Sequence, residues 1–159
     1  MIRFIKGDLT KMKVDAIVNA ANTALVGGEG LCGAIHDAAG PELDKECSKL
    51  KYCLRGDAKI TLGYNLPAKH IIHTVGPVYG QHSGKESEIL YSCYYEALRL
   101  AENEGVETIA FPYISTGIYR YPFEDAKAIA VVAINDYIDD NPYTTLLKVY
   151  LVTYVPGNN

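Results

Sequence analysis

The chain has 159 residues, of which 48% are hydrophobic and 21% charged, a composition typical of one globular domain. The net charge of −4 argues against broad electrostatic binding to nucleic acid, and no apolar run approaches the roughly 18 to 20 residues that span a bilayer. Since the N-terminus also lacks a signal-peptide pattern, we expect a single cytoplasmic domain over residues 1–159, with neither a membrane nor a specific nucleic acid as partner.

The first part of the chain predicts two strands and two helices around a glycine-rich loop. Alternating apolar and polar residues over 1–6 are typical of a half-buried edge strand, and residues 7–10 turn the chain. The nearly continuous apolar run 14–18 fits a strand that is covered on both faces. A short helix over 33–39 follows the loop, and a second helix begins at Pro41.

The rest of the chain continues this alternation. The sequence predicts strands over residues 57–62, 69–75, 108–114 and 146–154. Helices begin at a capping box, Ser83–Glu86, and at Pro122, and Gly105 has the place of a helix C-cap. Residues 155–159 show no element. The pattern predicts an α/β fold, a three-layer α/β/α sandwich with a mixed, largely parallel central sheet.

Cysteine usage indicates free thiols. Cys32, Cys47, Cys53 and Cys93 are widely spaced and contain no C-x-x-C pair. This spacing argues against a disulfide framework or a zinc finger, and we expect most of the four to be small core residues.

The glycine-rich loop, which lies within residues 19–40, has the order strand, glycines, helix N-terminus. Glycines allow close approach of the backbone, and the first-turn N–H groups of a helix favour an anion, so the loop fits a phosphate cradle. It matches neither G-x-x-x-x-G-K-[ST] nor G-x-G-x-x-G. On glycine count alone, a flexible turn is an equal alternative.

Two small-residue loops, 19–33 and 114–121, follow predicted parallel strands. Ligands of open α/β sheets bind at the carboxyl ends of such strands. Two loops that face each other there could hold both phosphates of a diphosphate.

Six segments, in this order, resemble the macrodomain family, which binds ADP-ribose. They are Gly7-Asp8-Leu9-Thr10, residues 14–22, the glycine loop into Gly33-Ala34-Ile35-His36, residues 58–61, residues 71–77 and residues 112–119. Each alone is weak support for the family, whereas all of them on a compatible pattern of strands and helices make a specific match.

The resemblance implies that two parts of the chain recognise adenine. Asp8, with Leu9 beside it, would accept a hydrogen bond from the exocyclic amine of adenine, and Tyr154 would place its ring against the base. Asp8 also suits the turn after Gly7, which is compatible with that role. Tyr154 fits a core or edge-strand tyrosine nearly as well.

The resemblance places the diphosphate and the distal ribose between the two loops. Asn22 would hold the distal ribose and is the catalytic candidate, since an amide donates and accepts at once. Tyr119 would also lie over this ribose. Main-chain N–H groups of both loops would wrap the diphosphate: Gly28, Gly30, Leu31, Cys32 and Gly33 in the first, and Ser115, Thr116, Gly117, Ile118 and Tyr119 in the second. For Asn19, His36 and His73 we expect structural roles.

Cys32 is where the chain departs from the hydrolase-type macrodomains, which commonly have an aspartate there, proposed to orient or activate the attacking water. A helix N-terminus favours ionisation of such a thiol and a nearby diphosphate opposes it, so we expect neither a nucleophile nor a metal ligand. Cys32 and His36 are one helical turn apart, but a pair without a third ligand is a poor zinc site. Two lesser departures are Glu29, in a loop that is usually all glycine, and the end at Asn159, where many relatives add a helix.

The resemblance implies hydrolysis at the distal ribose, with no metal or cofactor. Viral macrodomains resemble this chain in having a small apolar residue at the position of Cys32 and are regarded as hydrolases. The expected partners are ADP-ribosylated proteins, from which mono-ADP-ribose would be removed at acidic side chains, and O-acetyl-ADP-ribose, which would be deacetylated. One alternative is a module that binds ADP-ribose without turnover, and another is an α/β scaffold with a vestigial cleft.

Overall fold

This computed structural model describes residues 1–157 of the chain, which contain six strands and four helices. The chain end at Asn159 lies outside the described residues. The strands are β1 (Ile2–Gly7), β2 (Ala16–Ala20), β3 (Ala58–Leu62), β4 (His70–Thr74), β5 (Thr108–Pro112) and β6 (Lys148–Tyr154). The helices are α1 (Gly30–Ala39), α2 (Pro41–Leu50), α3 (Glu86–Asn103) and α4 (Phe123–Asp140), with a short 3₁₀ turn at Leu9–Lys11.

The strands form one mixed sheet in the order β1-β6-β5-β2-β4-β3. Every neighbouring pair is parallel except β3 and β4, which are antiparallel. The mixed, largely parallel sheet is thereby confirmed, as is the edge position of the first strand. β2 lies inside the sheet, as its continuous apolar run predicts.

Helices cover both faces of the sheet and give three layers. Because side chains alternate along a strand, Ala16 and Val18 of β2 pack in the core under α3 and α4, whereas Ile17 packs in the core under α1 and α2. The larger core contains Tyr94 and Phe111, with ring centroids 5.0 Å apart. The sandwich architecture is confirmed.

The capping-box prediction at the start of α3 is wrong. Ser83 has φ = +54°, and Lys85 is the N-cap and makes no side-chain capping bond. The Glu86 carboxylate instead accepts a hydrogen bond from the His82 N–H at 2.6 Å. The expected end is confirmed, since Gly105 follows the C-cap with φ = +71°.

All four cysteines are free thiols. Cys47, Cys53 and Cys93 are buried, as expected for small core residues, whereas Cys32 is partly exposed at the start of α1. Within residues 1–157, no helix is both long and apolar enough to cross a bilayer.

Candidate functional site

Five parallel strands end at one edge of the sheet, which we call the carboxyl edge. The chain leaves it after β1, β6, β5, β2 and β4, in that spatial order. The first loop, residues 21–29, follows β2, and the second loop, residues 113–122, follows the neighbouring β5. At about 4.8 Å per strand spacing, the distance from β1 to β2 is roughly 14 Å.

The first loop ends at an uncapped helix. α1 begins at Gly30 and not at Gly33, so the predicted loop residues 30–33 form its first turn. Glu29 is the N-cap, is exposed, and makes no side-chain capping bond, and the first turn contains no acidic residue. A Cβ at Gly33 would lie 2.0 Å from the Gly28 carbonyl oxygen, so the first loop is packed directly onto this turn. Among residues 1–157, the first-turn N–H groups therefore have no side-chain partner, as an anion site requires.

Asn22 clamps the first loop through its amide. Its Nδ2 donates to the Val26 carbonyl at 2.8 Å, and its Oδ1 accepts from the Val26 N–H at 3.1 Å. Leu25, inside this clamp, is buried and has φ = +58°. Asn22 therefore holds the loop conformation in addition to any contact with a ligand.

The second loop is held against the end of β4. The Tyr121 N–H donates to the Ser115 carbonyl at 2.8 Å, and Ser115 has φ = +68°. A Cβ at Gly76, just past β4, would lie 2.1 Å from the Ser115 Oγ. That hydroxyl is buried and has no hydrogen-bond partner among the described residues. Thr116 Oγ1 donates to the Tyr113 carbonyl at 2.7 Å, which tightens the turn.

Arg55 fixes the end of the second loop. Its guanidinium lies over the Tyr119 ring, 5.2 Å from the centroid, and its Nη1 donates to the Gly76 carbonyl at 2.7 Å. The Tyr79 N–H donates to the Tyr119 carbonyl at 2.8 Å. The neighbouring Ile118 and Gly117 remain open, since Ile118 is 80% exposed and an added Cβ at Gly117 meets nothing within 4 Å.

Asp8 and Tyr154 lie together at the β1 side of the edge. Gly7 pairs with Tyr154 in the β1–β6 register. The Asp8 carboxylate accepts from the Thr10 N–H at 2.9 Å, the Thr10 hydroxyl at 2.6 Å and the Gly157 N–H at 2.8 Å. Burial opposes the charged form, but these hydrogen bonds outweigh it and hold the pKa of Asp8 below its usual value. Burial, with Asp8 nearby, raises the pKa of the Tyr154 phenol.

Leu9 differs from the other residues expected to bind a ligand. Its side chain is fully buried in the core under α1 and α2. Only its main chain is therefore available at the carboxyl edge.

A polar network lies beneath the first loop. The Asn19 Nδ2 donates to His73 Nδ1 at 3.1 Å, so we assign the His73 proton to Nε2, which lies 3.0 Å from the Thr61 Oγ1. Burial, with His36 nearby, lowers the pKa of His73 to about 3. The structural roles expected for Asn19 and His73 agree with these contacts.

His36 is less satisfied than expected. Its Nδ1 lies 2.7 Å from the Asp44 Oδ1, but its Nε2 is buried and has no hydrogen-bond partner among the described residues. One of its two ring nitrogens is therefore paired, and the structural role expected for His36 stays a prediction.

The described residues contain one cluster with metal-ligand chemistry, formed by His36, Cys47 and His73, whose donor atoms lie within 4.8 Å of one another. Both ring nitrogens of His73 already have hydrogen-bond partners. Burial, with nearby Glu46 as a smaller cause, also raises the pKa of the Cys47 thiol to about 11, which disfavours the thiolate a metal needs. The contacts fit a core network better than a metal centre.

Arg55 and Asp44 are site residues that the sequence motifs do not reveal. Arg55 acts on Tyr119, and Asp44 acts on His36, in each case from a different element. A cation or carboxylate in a solvated stretch has no local signal for such contacts. Both become visible only when the strands bring distant segments together.

The family pattern described as Macro domain matches residues 18–130. A Macro domain-containing protein of Methanosarcina mazei is 54% identical over 153 residues, 96% of this chain and 81% of that protein. The ADP-ribose glycohydrolase MACROD2 of Homo sapiens is 49% identical over 141 residues, 88% of this chain but only 33% of that protein.

Solved structures share the fold along nearly the whole chain. A variant of the Oceanobacillus iheyensis macrodomain with ADPR has a TM-score of 0.89 at 40% identity, covering 95% of this chain and 83% of that one. The Trypanosoma brucei macrodomain in complex with ADP-ribose has a TM-score of 0.88 at 39% identity, covering 95% of this chain and 62% of that one.

Proposed function

The chain belongs to the Macro domain family, and we propose that it binds ADP-ribose along the carboxyl edge and hydrolyses ADP-ribosyl esters there. The observation that carries the proposal is the uncapped start of α1, onto which the first loop is packed so tightly that only glycine fits at position 33. Main-chain N–H groups and the helix dipole can hold a diphosphate without lysines or arginines. The Trypanosoma brucei relative, whose fold this chain shares, was solved with ADP-ribose.

The order of segments along the edge supports this ligand. Asp8 and Tyr154, after β1 and β6, would meet adenine, since an ionised carboxylate accepts from an exocyclic amine. The diphosphate would lie between residues 28–33 and 115–119, which follow the central strands. The roughly 14 Å from β1 to β2 gives ADP-ribose room to lie extended across the edge, with its distal ribose near Asn22.

We place the reaction at the distal ribose. Water attacks, and the leaving group is a carboxylate from a modified acidic side chain, or acetate from O-acetyl-ADP-ribose. The clamp on Val26 uses one N–H and one lone pair of the Asn22 amide, which leaves a second N–H and lone pair for ribose hydroxyls. Asn22 is thus the proposed catalytic residue, and a phosphate oxygen of the substrate would accept the water's proton. The human relative named as an ADP-ribose glycohydrolase supports this reaction class.

Cys32 favours a second candidate function, binding without turnover. A thiol stands in the first turn of α1 where hydrolase-type macrodomains commonly have an aspartate. Its sulfur makes long contacts with the Val26 carbonyl at 3.6 Å and the Asn19 amide at 3.7 Å. A reader module needs the phosphate cradle but no group that activates water.

One experiment separates the two functions. The protein is incubated with a glutamate-linked mono-ADP-ribosylated substrate while free ADP-ribose is followed, and ADP-ribose is titrated by calorimetry. Release above a protein-free control, together with binding, is expected for the hydrolase. Binding with no release would leave the reader, and absence of binding would contradict both.

A further inference from the structure

An apolar groove lies between α3 and α4, in the helical layer on the other side of the sheet from α1 and α2. Six residues line its volume of about 410 Å³: Ser87, Glu88, Tyr91, Ala128, Ile129 and Val132. Val132 is 52% exposed, and of these six residues only Glu88 has a charged side chain. We propose that the groove binds a basic amphipathic helix of a partner protein, whose apolar residues lie in the groove and whose lysines and arginines face the carboxylates of α3 and α4.

The groove is built from residues that lie one helical turn apart. Ser87 and Tyr91 of α3 are four positions apart, as are Ala128 and Val132 of α4, so each pair shares one face of its helix. The Tyr91 hydroxyl donates to the Asp136 carboxylate at 2.7 Å, which joins the two helices beside the groove. Because this wall is already fixed, a partner that enters the groove has little to reorganise.

The charge of the chain is distributed unevenly, and the groove lies in its acidic part. α3 and α4 together contain nine acidic and two basic residues, a net charge of −7, whereas the rest of the chain contains ten acidic and thirteen basic residues, a net charge of +3.

The two cations of these helices have other contacts. The Arg99 guanidinium lies 2.8 Å from the Glu96 carboxylate, and the Lys127 Nζ lies over the Phe4 ring, 5.0 Å from its centroid. Glu88, in the groove itself, forms no ion pair with another residue of 1–157. The groove therefore has carboxylates around it that a basic partner can neutralise.

The combination of apolar lining and acidic surroundings determines the class of partner. An apolar centre with a polar rim is the usual anatomy of a protein–protein interface. An amphipathic helix that lies in a groove presents apolar anchors at i, i+3, i+4 and i+7. Lysines and arginines beside those anchors complement the charge of α3 and α4 and discriminate against acidic partners. The same charge repels the phosphates of nucleic acids and of anionic lipids.

The test uses a fluorescein-labelled synthetic peptide of leucine and lysine, about 18 residues long, whose leucines form one face of a helix. One control peptide has glutamate in place of every lysine, and a second has the same residues in an order that spreads the leucines around the helix. Fluorescence anisotropy with the intact chain should give a Kd at least tenfold lower for the lysine peptide than for either control. This Kd should rise when salt is added, because salt screens the charges.

Val132→Lys locates the binding site. It places a cation in the groove at a half-exposed position, outside the core, and should raise the Kd about tenfold because like charges then meet. Leu62→Lys is the matched control, since Leu62 is 53% exposed, gains the same charge and lies in β3 at the edge of the sheet. It should leave the Kd unchanged.

An equal Kd for Val132→Lys and Leu62→Lys would overturn the proposal, as would a lysine peptide that does not bind or binds no more tightly than the glutamate peptide. Thermal melts report the fold of each variant. If Val132→Lys unfolds, Glu88→Gln replaces it, with Glu42→Gln, an exposed acid of α2, as its control; the first should raise the Kd several-fold and the second should not, and equal values would contradict the proposal.

Sedimentation velocity tests whether a second copy of the chain occupies the groove instead. A wild-type dimer that Val132→Lys dissociates, while Leu62→Lys does not, would overturn the proposed partner. A monomer in all three proteins supports it. Every measurement is made without ADP-ribose, so failure of the proposed hydrolase leaves this test intact.

Discussion

The substitution Gly33→Ala tests whether the anionic part of the ligand binds at the start of α1. A methyl group there would lie 2.0 Å from the Gly28 carbonyl oxygen and 3.1 Å from its carbon. Carbon–oxygen contacts settle at about 3.3 Å or more, so the first loop must retreat by roughly 1 Å. Gly28 would then move away from the first turn of α1.

The substitution is expected to lower both the stability of the fold and the affinity for the ligand. Overpacking of this kind costs about 1–3 kcal/mol of unfolding free energy, and a chain of this length loses roughly 2–4 °C of Tm for each kcal/mol. A displaced N–H···phosphate bond costs about 1.5–3 kcal/mol, a rise in Kd of roughly 10- to 150-fold. We expect Gly33→Ala to show both effects.

Gly63→Ala is the matched control. An added methyl there meets the Ala68 carbonyl at the same two distances, 2.0 and 3.1 Å, but in the turn between β3 and β4, at the opposite edge of the sheet. Thermal melts should show a similar loss of Tm for the two variants, while calorimetry with ADP-ribose shows weakened binding for Gly33→Ala alone. Similar losses of Tm with an unchanged Kd in both would refute a phosphate site at α1.

Four further outcomes are expected. Asp8→Ala should raise the Kd for ADP-ribose about tenfold and leave kcat at saturation nearly unchanged, because its proposed contact is the base and not the reacting sugar; calorimetry and steady-state kinetics separate the two. Asn22→Ala should lower kcat more than affinity, and the reverse in the same assays would mean that the two roles are exchanged. Arg55→Gln should raise KM several-fold, because it removes the cation that holds the Tyr119 ring, whereas an unchanged KM would show that the ring holds its place unaided. Since burial lowers the pKa of His73 from 6.5 to about 3, the unfolded chain binds the extra proton between these values; the free energy of unfolding should therefore fall as pH drops through this window, and His73→Gln should flatten that slope in denaturant titrations.

The elements could be predicted from the sequence because each has a strong local signal. β2 has a continuous apolar run, and α4 begins behind a proline with acidic residues in its first turn. The strand order and the antiparallel β3 have no such signal, because pairing is decided by contacts between distant segments. The capping box failed for a related reason: the turn before α3 forces a positive φ at Ser83, which an N-cap residue does not have.

In the candidate site, too, some residues could be predicted from the sequence and others could not. The glycine loop and Asp8 could be found because their residue types are needed where they stand in the chain. The contact between His36 and Asp44 could not be found, since nothing in the helix of His36 shows that Asp44 pairs with one ring nitrogen while the other has no hydrogen-bond partner among the described residues. Arg55 was missed because its partner, Tyr119, is distant in sequence and reaches it only through the packing of β4 beside the second loop.

Steric restraint at the carboxyl edge would let a chain of net charge −4 hold the proposed diphosphate. Gly33 is pressed on the Gly28 carbonyl and Gly76 on the Ser115 hydroxyl, so both loops are fixed by contacts that allow no side chain at either glycine. N–H groups held in place before binding lose little conformational freedom when a ligand arrives, and their dipoles need no reorientation. This compensates for a net charge of −4 and for Glu29, which is exposed at the N-cap. In the proposed site, the affinity for phosphate depends on the rigidity of the two loops more than on side-chain charge, which is why a methyl group at position 33 is a sharper test than removal of any single charge.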